Sequence, residues 1–132
     1  MEPAIIQVKH NVHKQIKRFL VTGISAVAID TLVYFLLVQF YFASLSKVIS
    51  FICGTFVAYL LNKFWTFEKK SYSLNEVFKF IILYTSTLGV NVSINALCLI
   101  HISSAKPIAF VIATGASTVL NFVGQKWWVF KE

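Results

Sequence analysis

A single acidic residue, Asp30, lies inside the long apolar stretch Phe19–Val38 near the start of the chain. It is the only acidic side chain between residues 3 and 67, and it follows Arg18 by twelve residues. In an α-helix that separation is about 18 Å along the axis, which is close to the middle of a bilayer. Charges at this depth are costly and usually mark a pathway, a partner or a binding site. Asp30 is therefore the first candidate functional residue.

The sequence leaves three roles open for Asp30. It can form a structural ion pair with Lys63 or Lys126, two lysines that approach from the same side of the membrane as Arg18. It can instead hydrogen-bond Asn91 in a neutral, protonated form. A third role is to bind a polar ligand or a proton.

Four apolar stretches supply the helices that would position these residues. The chain has 132 residues, of which 58% are hydrophobic and 13% charged, and its mean hydropathy is +0.75. A chain this short cannot bury so much apolar surface in a core of its own. The predicted helices cover about residues 19–42, 48–67, 78–100 and 107–130, each near the ~20 residues that a membrane span needs. We expect an all-α membrane protein with four transmembrane helices in residues 18–132 and a basic cytoplasmic arm, 1–17, on anionic headgroups.

The basic residues predict the orientation of the chain. Ten of the twelve lie at the ends of the predicted spans that share a side with the termini, whereas Lys47 and Lys106 lie on the other side. Under the positive-inside rule, both termini are then cytoplasmic and the protein is a multi-pass protein of the inner (cytoplasmic) membrane. This placement also makes a nucleic-acid partner an unnecessary explanation of the net charge of +7.

The two halves of the chain resemble each other, which predicts two hairpins of the same orientation related as parallel repeats. Asp30 aligns with Asn91, and Lys47 aligns with Lys106. The small or polar stripe Ser50, Gly54, Ala58 and Asn62 then aligns with Ala109, Ala113, Ser117 and Asn121. The closing segments need a different offset, which predicts about one extra turn in the last helix.

Polar residues on the first helix of each half predict a polar interior. We expect Asp30, Asn91 and Asn95 to share that interior near the axis relating the halves, because polar groups turn away from lipid. The alternative is that Asn91 and Asn95 simply hydrogen-bond neighbouring helices together.

An ordered set of motifs resembles the GtrA-like family of small four-helix membrane proteins over residues 16–131. The set comprises Arg18-Phe19 followed by Asp30, the segment Asn62–Phe67, and the segment Lys126–Phe130. Two positions depart from the pattern, since Gln125 replaces an expected Asn and Asn91 stands opposite Asp30. A symmetric use of two acids is therefore excluded.

The resemblance implies a role in cell-surface polysaccharide synthesis. GtrA-like proteins are thought to move a polyprenyl-phosphate-linked sugar to the outer leaflet, where a membrane glycosyltransferase, the expected partner, uses it. A related module is similar to the membrane part of some polyprenyl-phosphate sugar synthases.

The expected ligand suggests which residues bind it. A ring of cations for the phosphate is expected from Arg18, Lys63, Lys79 and Lys126, since arginine can grip a phosphate with two hydrogen bonds. Sugar hydroxyls are expected to meet Asn62, Asn121 and Gln125, with Trp65 and Trp128 stacking on the sugar or lipid. The polar ligand that Asp30 could bind is then also the sugar, or Asp30 could bind a proton during transport. The alternative is that the lysines, with Trp65, Trp127 and Trp128, form a belt that only anchors helix ends.

The sequence offers little for catalysis. It has no glycine-rich phosphate loop, zinc-ligand spacing or paired carboxylates, so we expect neither an enzyme nor a cofactor. Two other functions stay open: a scaffold that recruits a polyprenyl-phosphate glycosyltransferase without transporting lipid, and a small multidrug-type exporter. The small-residue stripes could also serve a homo-oligomer.

Overall fold

The protein is built entirely of helices in the residues that the computed structural model describes, 4–102 and 106–131, with the Lys106 side chain left out. The helices are α1 (Ala4–Leu37), α2 (Ala43–Leu61), α3 (Leu74–His101) and α4 (Lys106–Gly124). Five-residue π-helical turns, Asn62–Thr66 and Gln125–Val129, continue α2 and α4. Four segments are long and apolar enough to cross a membrane. The predicted fold class is confirmed.

The chain divides into two compact units, Met1–Lys70 and Ser71–Glu132, which we call hairpin 1 and hairpin 2. Each is a pair of antiparallel helices. In hairpin 1, contacts join Arg18 to Trp65 at one end and Asp30 to Lys47 towards the other. We call the first of these the basic end and the second the turn end, and use the same terms for the matching ends of hairpin 2.

Large apolar side chains cover the outside of both hairpins. Ile24 and Leu32 on α1 are 71% and 67% exposed, and Phe110 on α4 is 66% exposed. Such a surface would be unfavourable in water, and it suits contact with lipid acyl chains. The protein is therefore a multi-pass membrane protein.

Small and polar side chains, by contrast, occupy the helix–helix contacts. Ser50, Gly54, Ala58 and Asn62 are all buried on α2 and its π turn, as the four-residue spacing predicts. A Cβ on Gly54 would lie 2.8 Å from the Ala26 carbonyl oxygen and 3.0 Å from the Asp30 Cβ. Glycine is required there because the α1 backbone passes too close for any side chain.

The predicted helix boundaries are wrong at the turn end of hairpin 1. Residues 43–47, predicted as an outer loop, are the first residues of α2, and α1 ends at Leu37 instead of residue 42. At its other end α1 begins at Ala4, so residues 4–17 of the predicted arm belong to the same continuous helix. Lys47 misled the boundary because a lysine inside a helix can extend its charged group towards the membrane edge.

The predicted extra turn in the last helix stays a prediction, because the described part of α4 begins at Lys106. From there a 19-residue α-helix leads into a five-residue π turn, as it does in hairpin 1. Aligning the two π turns places Asn62 opposite Gln125 and Gly54 opposite Ser117. The structural counterpart of Lys47 is then Phe110 instead of Lys106. Small residues recur along both helices every four positions, which is why a shift of one turn gave an equally good sequence match.

Candidate functional site

The basic end of hairpin 1 is held together by an arginine that reaches across from α1 to the end of α2. Arg18 donates a hydrogen bond to the Trp65 carbonyl oxygen at 2.6 Å, and its guanidinium lies 5.4 Å from the centre of the Trp65 ring. The same guanidinium pairs with Glu68, which also accepts a 3.0 Å hydrogen bond from Lys14. Arg18 is therefore already neutralised by a carboxylate of its own hairpin.

Glu68 ends the π turn in an unusual backbone conformation. Its φ of 53° is in the left-handed region, which side-chain-bearing residues rarely adopt. The following amide, that of Lys69, donates to the Lys63 carbonyl oxygen at 2.8 Å and closes the helix end. Hydrogen bonds from Lys14 and Arg18 hold the pKa of Glu68 below its ordinary value of 4.5.

Buried polar side chains continue from this end towards the interior of hairpin 1. Thr66 donates to the Asn62 amide oxygen at 3.1 Å and lies 3.3 Å from the Thr22 hydroxyl. All three side chains are at most 1% exposed. Lys63, which follows Asn62 in sequence, is also buried, and its ammonium lies 3.4 Å from the Tyr59 hydroxyl. Hydrogen bonds therefore satisfy this cluster within its own hairpin.

Hairpin 2 repeats the arrangement at its basic end with a weaker contact. Lys79 reaches the Trp128 carbonyl oxygen at 3.5 Å, and its ammonium lies 5.9 Å from the Trp128 ring. Lys126 lies 5.5 Å from the ring of Trp127, which is 56% exposed. Both hairpins thus pair a first-helix cation with a tryptophan of the second helix.

The interior of hairpin 2 contains two hydrogen bonds between its helices. Thr87 donates to the Asn121 amide oxygen at 2.8 Å, and Asn91 donates to the Ser117 hydroxyl at 3.0 Å. Asn91 therefore links α3 to α4, as the alternative reading of the sequence predicted for it. Asn95 lies one turn further along α3 and is half-buried.

Gln125 is the first residue of the second π turn, and its side chain differs from the other polar side chains of this interior. Its side chain is fully buried, yet neither the amide oxygen nor the amide nitrogen has a hydrogen-bond partner among the described residues. The buried Tyr84 hydroxyl lies close to this amide. In hairpin 1 the matching Asn62 accepts a hydrogen bond from Thr66, whose hydroxyl also contacts that of Thr22. In hairpin 2 the counterparts of these two threonines are the apolar Val129 and Leu83. The amide thus offers one unused donor group and one unused acceptor.

Asp30 has a partner that the sequence analysis did not consider. Its Oδ2 accepts a 2.7 Å hydrogen bond from Lys47, so within hairpin 1 the predicted ion pair with Lys63 is wrong, and the pairings with Lys126 or Asn91 stay predictions. The reason is the shifted boundary at the turn end, because α1 stops at Leu37 and brings Asp30 within about 10 Å of its end. Lys47, inside α2, can then reach the carboxylate.

The structure places the four predicted cations and their tryptophans at the basic ends of the two hairpins, but the contacts differ from one cation to the next. The joint phosphate ring and the interior shared by Asp30, Asn91 and Asn95 stay predictions. Sequence reasoning missed Thr66 and Glu68, although both lie within or beside a motif that it had singled out. It also missed both π turns, for which the repeated Lys-aromatic-Trp pattern was the available signal.

The side chains at the basic ends and behind them are cations, amides and hydroxyls, which are the groups of a binding site. Among residues 4–102 and 106–131, no group of three His, Cys, Asp or Glu side chains could hold a metal ion. The groups present can bind an anion at the basic ends and hydrogen-bond a polar molecule behind it.

Comparison with known proteins agrees with this membrane architecture. Residues 18–130 match the family described as the GtrA/DPMS transmembrane domain, and the chain belongs to that family. It is 21% identical over 120 residues to the uncharacterized membrane protein YwcD of Bacillus subtilis (strain 168), covering 86% of this chain and 94% of YwcD. No solved structure matches the chain. The family fits a membrane protein of polysaccharide synthesis.

Proposed function

We propose that the protein moves a polyprenyl-phosphate-linked sugar from the cytoplasmic to the outer leaflet of the inner membrane, with both termini in the cytoplasm. The ligand combines one phosphodiester charge, several sugar hydroxyls and a long apolar tail. Binding it requires a cation at the membrane edge, polar side chains deeper in the protein and apolar surface for the tail. The hairpins offer all three kinds of group.

The observation that carries this proposal is the buried amide of Gln125. A buried polar group without a partner is unfavourable by about 1–3 kcal/mol, so its presence favours a ligand that completes it. A sugar hydroxyl donates and accepts a hydrogen bond at the same time, and it therefore matches both unused groups of the amide. Lys126 follows Gln125 directly and Lys79 contacts the same π turn through Trp128, which puts cations for the phosphate nearby.

The sequence has no ATP-binding motif. We propose that movement is downhill, or is driven by an ion gradient or by a membrane glycosyltransferase that consumes the sugar on the outer side. Hydrolysis or transfer chemistry is not part of the proposal. The protein is a carrier in this account and not an enzyme.

Reconstitution into liposomes tests the function. The probe is a short polyprenyl-phosphate hexose that carries a nitrobenzoxadiazole on its sugar, and external dithionite quenches only the outer-leaflet molecules. We expect the wild-type protein to expose the inner-leaflet pool to dithionite, whereas empty liposomes keep it protected. An equal protected pool in both preparations would contradict transport.

A second candidate is a scaffold that recruits a polyprenyl-phosphate glycosyltransferase without moving lipid. Exposed aromatic side chains at the basic ends, Phe64 at 42% and Trp127 at 56%, favour it as a docking surface. The same liposome assay separates the candidates, because a scaffold leaves the transbilayer rate unchanged. A multidrug-type exporter is disfavoured, since Lys47 already occupies the carboxylate that would bind a cationic drug.

A further inference from the structure

The ion pair between Asp30 and Lys47 presents a cation at the turn end of hairpin 1. The Lys47 side chain is 58% exposed, whereas that of Asp30 is only 20% exposed. The ammonium therefore faces outward while the carboxylate lies behind it, against α2. The Tyr34 ring lies 5.9 Å from the ammonium and forms one wall beside it.

The carboxylate is held in place by side chains of α2. Its Oδ2 accepts the bond from Lys47, and the Ser50 hydroxyl also lies close to the carboxylate. Gly54 lets α2 approach the Asp30 backbone closely, which fixes the carboxylate relative to the helix pair. Asp30 is thus a fixed charge next to a lysine whose outer side is accessible.

Hairpin 1 consequently has cations at two levels along its length. Asp30 lies twelve residues beyond Arg18 on α1, about 18 Å, and Lys47 lies sixteen residues before Lys63 on α2, about 24 Å. The separation approaches the ~30 Å of a hydrocarbon core. At the two matching positions hairpin 2 has Asn91 and Phe110, which cannot form an ion pair.

Stabilisation of the helix pair is a weak reason for this arrangement. A partly exposed ion pair contributes only about 0–1 kcal/mol, and the matching place in hairpin 2 is held by a neutral bond between Asn91 and Ser117. A carboxylate near the membrane interior is energetically unfavourable, and a neutral hydrogen-bonded pair would join the helices without that cost. We therefore expect the ion pair of Asp30 and Lys47 to have a function besides holding the two helices together.

We propose that Lys47 is a second binding site for the phosphate of an isoprenoid phosphate, on the side of the membrane away from the basic ends. Asp30 is its competing counter-ion. An arriving lipid phosphate takes the outward face of the ammonium, and the fixed carboxylate limits how tightly the phosphate is held, so that the lipid is released. This inference rests on the proposed function and assigns the site at which its ligand leaves.

Binding of farnesyl phosphate to the purified full-length protein in phosphatidylcholine nanodiscs tests the site. We expect Lys47→Gln to weaken total binding and Asp30→Asn to strengthen it, the latter by about tenfold, as expected when one charge-assisted competitor is removed. Both variants should slow transport in liposomes, Lys47→Gln because the lipid is not received and Asp30→Asn because it is not released. Lys47→Arg should keep wild-type binding, and Lys70→Gln is the charge-matched control in an exposed loop.

A merely structural pair gives a different pattern. Both substitutions would then lower the unfolding temperature in the same direction and leave farnesyl phosphate affinity at its wild-type value in the folded fraction, which overturns the inference. If Lys79→Gln still weakens binding in that case, the proposed function stands without the second site. Failure of the wild-type protein to bind farnesyl phosphate overturns both. Equal competition by inorganic phosphate would assign the site to free phosphate and overturn the lipid assignment.

Discussion

The π turns of the two hairpins occupy matching positions but treat their polar groups in opposite ways. In hairpin 1, Thr66 donates a hydrogen bond to the Asn62 amide oxygen and is itself in contact with the Thr22 hydroxyl. In hairpin 2, the matching Gln125 amide is equally buried and has no partner among the described residues. The same backbone element is therefore complete in one copy and incomplete in the other. Hairpin 1 has the features of a stabilising element here, and hairpin 2 those of a binding element.

The cations at the basic ends show the same difference, since the one in hairpin 1 is more fully paired than the one in hairpin 2. Arg18 makes a 2.6 Å hydrogen bond to Trp65 and an ion pair with Glu68. Lys79 makes one long contact to Trp128, and the residue that matches Glu68 in hairpin 2 is Lys131. An incoming phosphate would have to displace a carboxylate from Arg18 but only a weak carbonyl contact from Lys79. The duplicated hairpins thus suggest a division of labour.

The largest expected effect concerns these two cations. Lys79→Gln should weaken binding of a polyprenyl-phosphate hexose by about tenfold or more, the effect of losing one charge-assisted hydrogen bond to phosphate. Arg18→Gln should change this affinity little and lower the unfolding temperature instead. Titration of both variants in nanodiscs, with Lys70→Gln as control, measures the affinities. Equal losses for Arg18→Gln and Lys79→Gln would remove the proposed division.

A second contrast compares the two buried amides. Gln125→Leu should stabilise hairpin 2 by about 1–3 kcal/mol, because it removes an unsatisfied buried group. It should also reduce the preference for the sugar-bearing lipid over bare polyprenyl phosphate. Asn62→Leu should destabilise hairpin 1, since it breaks the bond from Thr66.

The two cysteines make that contrast measurable, because Cys53 lies in hairpin 1 and Cys98 in hairpin 2, both half-buried and unbonded. Single-cysteine versions, labelled with a thiol-reactive dye during heating in detergent, report each hairpin separately. Destabilisation by Gln125→Leu would indicate that the amide has a structural partner and would count against a sugar site.

Close helix packing gives a third contrast, between two glycines. Gly54→Ala should destabilise hairpin 1 by about 1–3 kcal/mol, because the added methyl meets the α1 backbone. Gly89→Ala meets nothing within 4 Å and should be neutral or stabilising by up to about 1 kcal/mol. Heating with labelling at Cys53 and Cys98 measures both. A stable Gly54→Ala variant would mean that α1 and α2 can separate without cost.

The smallest expected effect is the pH dependence of the Glu68 ion pairs. Because folding lowers the pKa of Glu68 below 4.5, its stabilisation is present above that pH and is lost as the pH falls through the lowered value. Wild-type protein should therefore lose unfolding temperature between pH 6 and a pH of about 3 relative to Glu68→Gln. Thermal unfolding followed by tryptophan fluorescence measures the difference. Identical profiles for the two proteins would show that Glu68 stays unpaired in the membrane.

Composition and spacing were enough to predict the helical membrane fold, the two hairpins and the buried small-residue face. These features depend on hydrophobicity and on a four-residue period, both of which are read directly from the sequence. The basic-end pairs of Arg18 with Trp65 and Lys79 with Trp128 were foreshadowed by their matching motifs. Their differing strengths were not, because they depend on Glu68 and its counterpart Lys131 beyond the helix ends.

The partner of Asp30 could not be predicted, because it depended on where α1 and α2 end. A lysine marks a membrane edge in the sequence whether it lies in a loop or one turn inside a helix. Lys47 was assigned to a loop for this reason, and Asp30 was paired with more distant cations. Gln125 was recognised as a departure from the family pattern, but its burial in the absence of threonines at the matching positions, which are Val129 and Leu83, followed only from the structure.

The decisive experiment is the transbilayer rate of a polyprenyl-phosphate hexose in liposomes, measured side by side for wild type, Lys79→Gln and Arg18→Gln at equal protein density. We expect fast movement in the wild-type protein, a large loss in Lys79→Gln and a rate near wild type for folded Arg18→Gln. Rates in all three preparations equal to those of protein-free liposomes would contradict this expectation.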